Sequence, residues 1–259
     1  MAQRVLITAG ASGIGKEIAR AFAAAGANVC VCDIDVKALD TVARDIPGLQ
    51  RIVCDVSKRD DIERMVVGAV GTLGGLDVLV NNAGYGVPGG YLASGWDVHE
   101  RFLQIMVIAV AELTHRLLPG MIERRYGRII NVASLAGLVP APAGHTLYAA
   151  AKAFLIKFSE SLAHEVRRHG VFVTAVCPGF TYSEFHDVTG TRASMKKLPR
   201  FMWSSSSDVA RHGYNAVMSG EAVVVTGRIN AAIATLVRIL PQRLVVGVGR
   251  RMGRQYRKQ

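Results

Sequence analysis

The chain has 259 residues, half of them hydrophobic, and a formal net charge of +11. That length buries a large core in one domain, and the charge does not make the protein a nucleic-acid binder. Eight of the 11 excess cations lie in residues 222–259, which hold no acid, leaving +3 of mixed sign in residues 1–221 with no nucleic-acid-binding motif.

The N-terminus, MAQRVLITAG, lacks the charged, apolar and cleavage regions of a secretory signal. Cys30, Cys32, Cys54 and Cys177 sit in apolar runs without Cys-x-x-Cys or zinc-like spacing. Buried reduced thiols and a cytoplasmic protein are expected.

In chain order, Val/Ile-rich runs predict strands over Val5–Thr8, Asn28–Asp33, Gln50–Asp55, Val78–Asn81, Arg128–Val132, Phe172–Cys177 and Ala222–Thr226. Segments of helical period fall between them, at Gly13–Ala25, Val36–Asp45, Asp60–Leu73, Gly95–Arg125, Leu147–Arg168 and Asp208–Ser219, with Ser57 and Ser207 as N-caps. Strands alternating with helices imply an α/β fold: a Rossmann-type, doubly wound parallel sheet of about seven strands with helices on both faces. Residues 180–206 break the alternation and carry Phe185, Met195, Phe201, Met202 and Trp203, so they read as a substrate lid. Domain boundaries follow, with one main domain over 1–228 and a basic amphipathic tail over 229–259.

The first strand runs into Thr8-Ala9-Gly10-Ala11-Ser12-Gly13-Ile14-Gly15 and then a helix. Glycines there let the backbone turn tightly against a pyrophosphate, whose charge the helix N-terminus receives. Asp33 ends the second strand, 18 residues beyond Gly15, where a carboxylate accepts hydrogen bonds from both adenosine ribose hydroxyls. It also repels a 2′-phosphate, and neither Ile34 nor Ser12 offsets that repulsion. NAD is favoured over NADP, with Lys16 the nearby cation that keeps NADP open. Tyr148 and Lys152, four apart in LYAAAKAF, share one helix face.

With Asp55-Val56, Asn81-Asn82-Ala83-Gly84, Asn131-Val132-Ala133-Ser134-Leu135-Ala136-Gly137, Tyr148-x-x-x-Lys152 and Pro178-Gly179, the chain resembles the short-chain dehydrogenase/reductase family over essentially its whole length. The resemblance implies that Gly10, Ser12, Gly13, Ile14, Gly15, Asp33, Ile34, Asp55, Val56, Asn82, Ala83, Gly84, Pro178 and Gly179 bind the cofactor together with Tyr148 and Lys152. It implies that Ser134 orients substrate, Tyr148 is the general acid or base, and Lys152 binds the nicotinamide ribose and tunes the tyrosine. A free phenol titrates near 10, and Lys152 with the nicotinamide ring is expected to lower that value. The implied reaction is hydride transfer between NAD and a secondary alcohol or ketone, and the implied assembly is a homodimer or homotetramer. The lid composition suggests a lipophilic substrate.

Three features depart from the family pattern, the smallest being Ala9 in place of the usual first glycine, with Gly10 beside it. Met106 stands where the family's helix usually carries an Asn that holds a relay water, and a thioether is a poor replacement. An NAD-binding regulatory or scaffold protein with weak turnover is therefore the alternative. The interval from Ser134 to Tyr148 is one residue longer than usual, within LVPAPAGHT.

No metal site is expected. His164 and His169 lie five apart, about 140° around a helix, and cannot share one ion. His145 and His186 read as surface histidines. In the tail, Ile233, Val237, Leu240 and Leu244 form an apolar stripe interrupted by Arg238, Pro241 and Arg243. Such a segment does not span a bilayer but suits peripheral membrane contact.

Overall fold

A computed structural model describes residues 2–141, 143–182, 203–241 and 243. In chain order the strands are β1 (Arg4–Thr8), β2 (Asn28–Asp33), β3 (Gln50–Val53), β4 (Val78–Asn81), β5 (Gly127–Val132), β6 (Val171–Cys177), β7 (Phe180–Tyr182), β8 (Trp203–Ser205) and β9 (Val223–Val225). Seven of them form one parallel sheet in the order β3-β2-β1-β4-β5-β6-β9. The order reverses between β1 and β4, which opens a crevice at the carboxyl ends of these strands.

The helices are α1 (Gly13–Ala24), α2 (Val36–Asp45), α3 (Arg59–Leu73), α4 (Trp96–Leu103), α5 (Ala109–Glu123), α6 (Thr146–Val166), α7 (Ser206–Ser219) and α8 (Arg228–Ile239). Along β1, Val5 and Ile7 pack with Ile18 and Phe22 of α1, Leu39 of α2 and Val209 of α7. Leu6 faces the other way, toward Met65 of α3, Leu113 and Met121 of α5, and Leu162 of α6. Burial on both faces explains why the central strands are continuous apolar runs rather than alternating ones.

The expected helix over Gly95–Arg125 is α4 and α5 joined by a π-helical turn at Gln104–Ile108, whose Ile105 and Met106 are buried. By length and composition Trp96–Glu123 is apolar enough to cross a membrane. Within it Phe102, Leu113, Leu117 and Met121 are buried in the core, while Trp96 and Ile108 are exposed.

Local chemistry differs from the sequence reading at several points. Ser57 does not cap α3. Its amide and hydroxyl instead donate to Asp55 Oδ1 at 3.0 and 2.7 Å, and β3 ends at Val53 because the chain turns there. The cap of α7 is Ser205, not Ser207, with its hydroxyl accepting from the Asp208 amide at 3.0 Å. The 180–206 stretch is not all loop, since β7 and β8 pair in parallel at its two ends. Phe185, His186, Met195, Phe201 and Met202 lie outside the described residues. The segment expected to be tail begins in α8, which buries Asn230 and Ala234 and leaves Leu236 and Ile239 outward.

Candidate active site

The glycine turn forms where β1 stops and α1 begins. Ala9, at the position where the family usually has its first glycine, takes φ 48°, a left-handed conformation that costs a side-chain-bearing residue about 1 kcal/mol. Its neighbours lack that freedom for a different reason. A Cβ on Gly10 would lie 2.7 Å from Val31 Cβ, and one on Gly15 would lie 2.4 Å from Ala9 O and 2.5 Å from Asn82 Nδ2. The turn is thus held against β2 and β4 with no room for side chains. Ser12 does not use its side chain to cap α1, so the helix's first amides face the crevice mouth with their partial positive charge.

Asn82 fastens this turn. Its Nδ2 donates to Thr8 O at 3.1 Å and Ala9 O at 2.9 Å, while the amides of Asn82 and Ala83 both donate to Thr8 Oγ1 at 3.0 Å. Thr8 and Asn82 therefore set the shape of the glycine turn, a role for Thr8 that spacing alone does not reveal. Asp33 Oδ2 accepts from the Ala11 amide at 3.4 Å and Oδ1 from the Asp35 amide at 3.2 Å, which faces the carboxylate toward the turn. Ile34 beside it is 63% exposed, an apolar surface at the mouth of the crevice.

Asp55 is more occupied than the sequence suggests. Besides Ser57, it takes a hydrogen bond from Arg101 of α4 at 2.9 Å. Burial opposes its ionisation, but the Ser57 hydrogen bonds and the Arg101 charge outweigh that and hold the carboxyl below its ordinary value. Val56 is buried next to it.

At the other end of the crevice the structure brings Ser134, Tyr148 and Lys152 together. Ser134 leaves β5 and caps the 3₁₀ turn Leu135–Gly137, its Oγ accepting from the Ala136 amide at 3.1 Å. That turn lies directly on α6, because a Cβ on Gly137 would sit 2.6 Å from Lys152 C and 2.7 Å from Ala153 N. Pro178 closes the opposite side, its carbonyl accepting from the Leu135 amide at 2.8 Å. Gly179 abuts Asn230 of α8, whose Nδ2 a Cβ would approach to 2.3 Å. A buried chain of amides ties the strands to α6: Asn81 Nδ2 donates to Asn131 Oδ1, and Asn131 Nδ2 to Ser159 Oγ, both at 2.8 Å.

Lys152 Nζ lies 5.7 Å from the centroid of the Tyr148 ring and donates to Val132 O at 2.7 Å. Burial raises the Tyr148 pKa, opposed by a hydrogen bond with Ser134. The expected lowering by Lys152 together with the nicotinamide ring concerns the cofactor-bound site; in the protein alone burial dominates. The protein's own groups draw the ammonium to a backbone carbonyl, and burial weakens its charge, pushing its pKa down to about 8.

The Lys152 shift has a testable sign. Between about 8 and the ordinary 10.5 the folded protein holds fewer protons than the unfolded chain, so this group adds stability as pH rises through that window. Burial also pushes the Cys30 and Cys177 thiols up to about 12, which lowers stability as pH rises through the same window, so the Lys152 contribution is a difference between proteins. In urea unfolding of the cofactor-free protein, the stability of the wild type relative to a Lys152→Met variant should increase from the lower to the upper end of the window, and an equal change in both proteins would disprove the assignment.

Among the described residues, no group of three or more His, Cys, Asp or Glu is arranged to hold a metal ion. Residues 3–193, which run from β1 past the Tyr148–Lys152 helix, match the family described as short chain dehydrogenase. The chain belongs to the short-chain dehydrogenases.

Relatives agree over nearly the full length. Nodulation protein G of Rhizobium sp. (strain N33) is 34% identical over 244 residues, covering 90% of this chain and 98% of that protein. A solved 3-ketoacyl-(acyl-carrier-protein) reductase from Brucella melitensis, complexed with NADH, is 25% identical with TM-score 0.79, covering 86% of this chain and 96% of that one. A variant of the actinorhodin polyketide ketoreductase, solved with NADPH, is 27% identical with TM-score 0.79, covering 87% and 96%. This short-chain dehydrogenase is accordingly an oxidoreductase of the NAD(P)-dependent kind. Its own residues fit a dinucleotide, since the tight turn at Gly10 and Gly15, the helix N-terminus that Ser12 leaves uncapped and the Asp33 carboxylate facing that turn come together at one crevice mouth.

The departures from the family also have a place. Met106 is 1% exposed, and its Sδ lies 2.7 Å from where a Gly84 Cβ would stand, with Lys152 Nζ 3.8 Å from the same point. A thioether thus closes the side of Lys152 that the family keeps polar. The lengthened loop before α6 reaches across to the loop after β4, where a Cβ on Gly144 would meet Gly89 O at 3.3 Å. His145 of that loop is half-buried rather than superficial, with its pKa lowered by burial and its ring 6.0 Å edge-on from Tyr148.

Proposed function

We propose that this short-chain dehydrogenase transfers hydride between NAD and a secondary alcohol or ketone, with Tyr148 as general acid or base. The observation that carries the reading is the convergence of Ser134, Tyr148 and Lys152 at the end of a crevice whose other end is a close-packed glycine turn facing Asp33. The nicotinamide, when bound, gives or accepts the hydride. Ser134 orients the substrate oxygen, and Tyr148 Oη delivers or takes the proton. Lys152 is well placed to exchange its Val132 contact for a ribose hydroxyl, and its positive charge then favours the phenolate. An absorbance screen of secondary alcohols with NAD and ketones with NADH tests the reading, and the absence of turnover on every member would reject it.

Preference for NAD rests on the groups around Asp33. Lys16, the cation beside the glycine turn, is held by Asp45 at 2.6 Å, which leaves the Asp33 carboxylate to repel a 2′-phosphate. Asp33→Ser should move the ratio of kcat/KM for NADP over NAD upward by about tenfold or more. An unchanged ratio would contradict the assignment.

A lipophilic substrate is supported by the ring contact between Phe180 and Trp203, 5.8 Å apart at the two ends of the lid segment. The same reading takes the enzyme as a cytoplasmic homodimer or homotetramer with a catalytic domain over 1–228. Membrane contact by the tail would use the outward Leu236 and Ile239 of α8, with Arg238 between them. Met106 favours the second reading, an NAD-binding regulatory or scaffold protein with weak turnover, because a buried thioether beside Gly84, near Lys152, supplies no hydrogen-bond donor to a relay water. Tight NAD binding without turnover in the same screen would select it.

A further inference from the structure

Helix α8 presents two apolar faces. One packs on the body: Asn230 and Ala234 are buried, and Ile233 and Val237, expected in the outward stripe of the tail, are half-buried beside them. On the opposite face Ile229, Ala232, Leu236 and Ile239, spaced by three, four and three residues, form an exposed crest. Leu236 is 55% and Ile239 75% exposed. Arg228 stands at one end of this crest and Arg238 at the other, both exposed. Residues 222–259 carry eight Lys or Arg and no acid, so nothing in this part of the chain offsets those charges.

Exposed leucine and isoleucine favour an apolar phase, and the cations beside them narrow the choice of partner. A second copy of this face would set Arg228 and Arg238 against their own equivalents, because a two-fold contact is self-complementary and like charges oppose it. A nucleic acid would take the cations but leave Leu236 and Ile239 nothing to bury against. An anionic lipid surface accommodates both: the crest enters the boundary of the acyl chains, and the guanidinium groups reach back on long stems to the phosphates. The other face of α8 stays fixed on the protein, so the helix docks without detaching.

We propose that the crest of α8 is a docking surface for an anionic phospholipid bilayer. The first turn of the helix adjoins the end of the crevice. A Cβ on Gly179 would meet Asn230 Nδ2 at 2.3 Å, and one on Gly227 would stand 3.6 Å from Ser204 Oγ. Gly179 and Ser204 are the chain neighbours of Phe180 and Trp203, whose rings are in contact. Docking thus holds the aromatic end of the crevice near the phase in which a lipophilic substrate collects. That consequence rests on the lipophilic-substrate reading, whereas the docking itself does not.

The test sediments the full chain with vesicles of phosphatidylcholine alone and of phosphatidylcholine with phosphatidylglycerol in equal parts, over a salt series. The protein should bind the anionic vesicles about tenfold or more tightly than the neutral ones, and salt should weaken that binding. The double variant Leu236→Gln/Ile239→Gln should lose about tenfold in affinity for anionic vesicles, and Arg238→Gln about fivefold. Val67→Gln, at an exposed position of α3, should lose none. Urea unfolding at the wild-type midpoint shows that each variant is folded. Failure of the wild-type protein to bind anionic vesicles, or binding that the double variant keeps in full, overturns the docking surface. So does a DNA duplex bound more tightly than the anionic vesicles, or an oligomer that the double variant dissociates while no vesicle is bound. If the vesicle dependences hold but no ketone carried in the vesicles is reduced, the docking surface stands and the lipophilic-substrate reading fails.

Discussion

Replacing Tyr148 by Phe lowers kcat by about 10²–10⁴-fold, the range expected when a positioned proton donor is lost, while NAD affinity stays within about twofold. The substitution removes one oxygen and keeps the ring. The edge contact with His145 at 6.0 Å and the Lys152 ammonium at 5.7 Å are both made to the ring, so the local packing has no reason to relax. What disappears is the phenol that Ser134 contacts and whose pKa burial raises. A pKa raised in the protein alone keeps Tyr148 protonated at neutral pH, and the approach of a positive nicotinamide ring and of Lys152 would favour the phenolate in the oxidising direction. Steady-state NADH absorbance gives kcat, and quenching of intrinsic fluorescence gives NAD affinity. A variant that retained the wild-type rate would remove the basis of the mechanism.

The second large effect is expected at Gly137, a residue with no reactive group. Gly137→Ala places a Cβ 2.6 to 2.8 Å from Lys152 C, Ala153 N and Lys152 O, all backbone atoms of α6 that cannot rotate away. Either the 3₁₀ turn lifts off the helix or α6 shifts, and overpacking of this kind costs about 1–3 kcal/mol. Since Ser134 caps that turn and Lys152 lies under it, either movement separates the orienting hydroxyl from Tyr148. A displacement of about 1 Å can cost about 10²-fold in rate. Urea unfolding and kcat should therefore fall together, whereas Gly26→Ala, where no atom lies within 4 Å of the added Cβ but φ is 81°, should cost stability without a comparable loss of rate. A fully active, stable Gly137→Ala protein would show that the turn has room it does not display.

Much of this was legible in the order of residues. Strands buried on both faces leave unbroken apolar runs, and that signature placed all seven strands of the main sheet to within two residues at each end. The short spacing of the glycine turn and of Tyr148 with Lys152 is local geometry, which a helix or a tight turn imposes whatever surrounds it. The caps were harder because Ser57 and Ser205 compete for nearby partners, and Asp55 won the first.

By itself, then, the sequence determined the alternating α/β architecture, the crevice-forming turn, the acidic residue opposite it and the helix face that carries Tyr148 and Lys152, because each depends on neighbours a few positions away. Tertiary structure alone decided that Lys152 turns to Val132, that Arg101 neutralises Asp55, and that Thr8 and Asn82 shape the glycine turn. Those outcomes depend on which distant segments share a small desolvated volume. There burial and hydrogen-bond competition, rather than local spacing, set protonation and orientation.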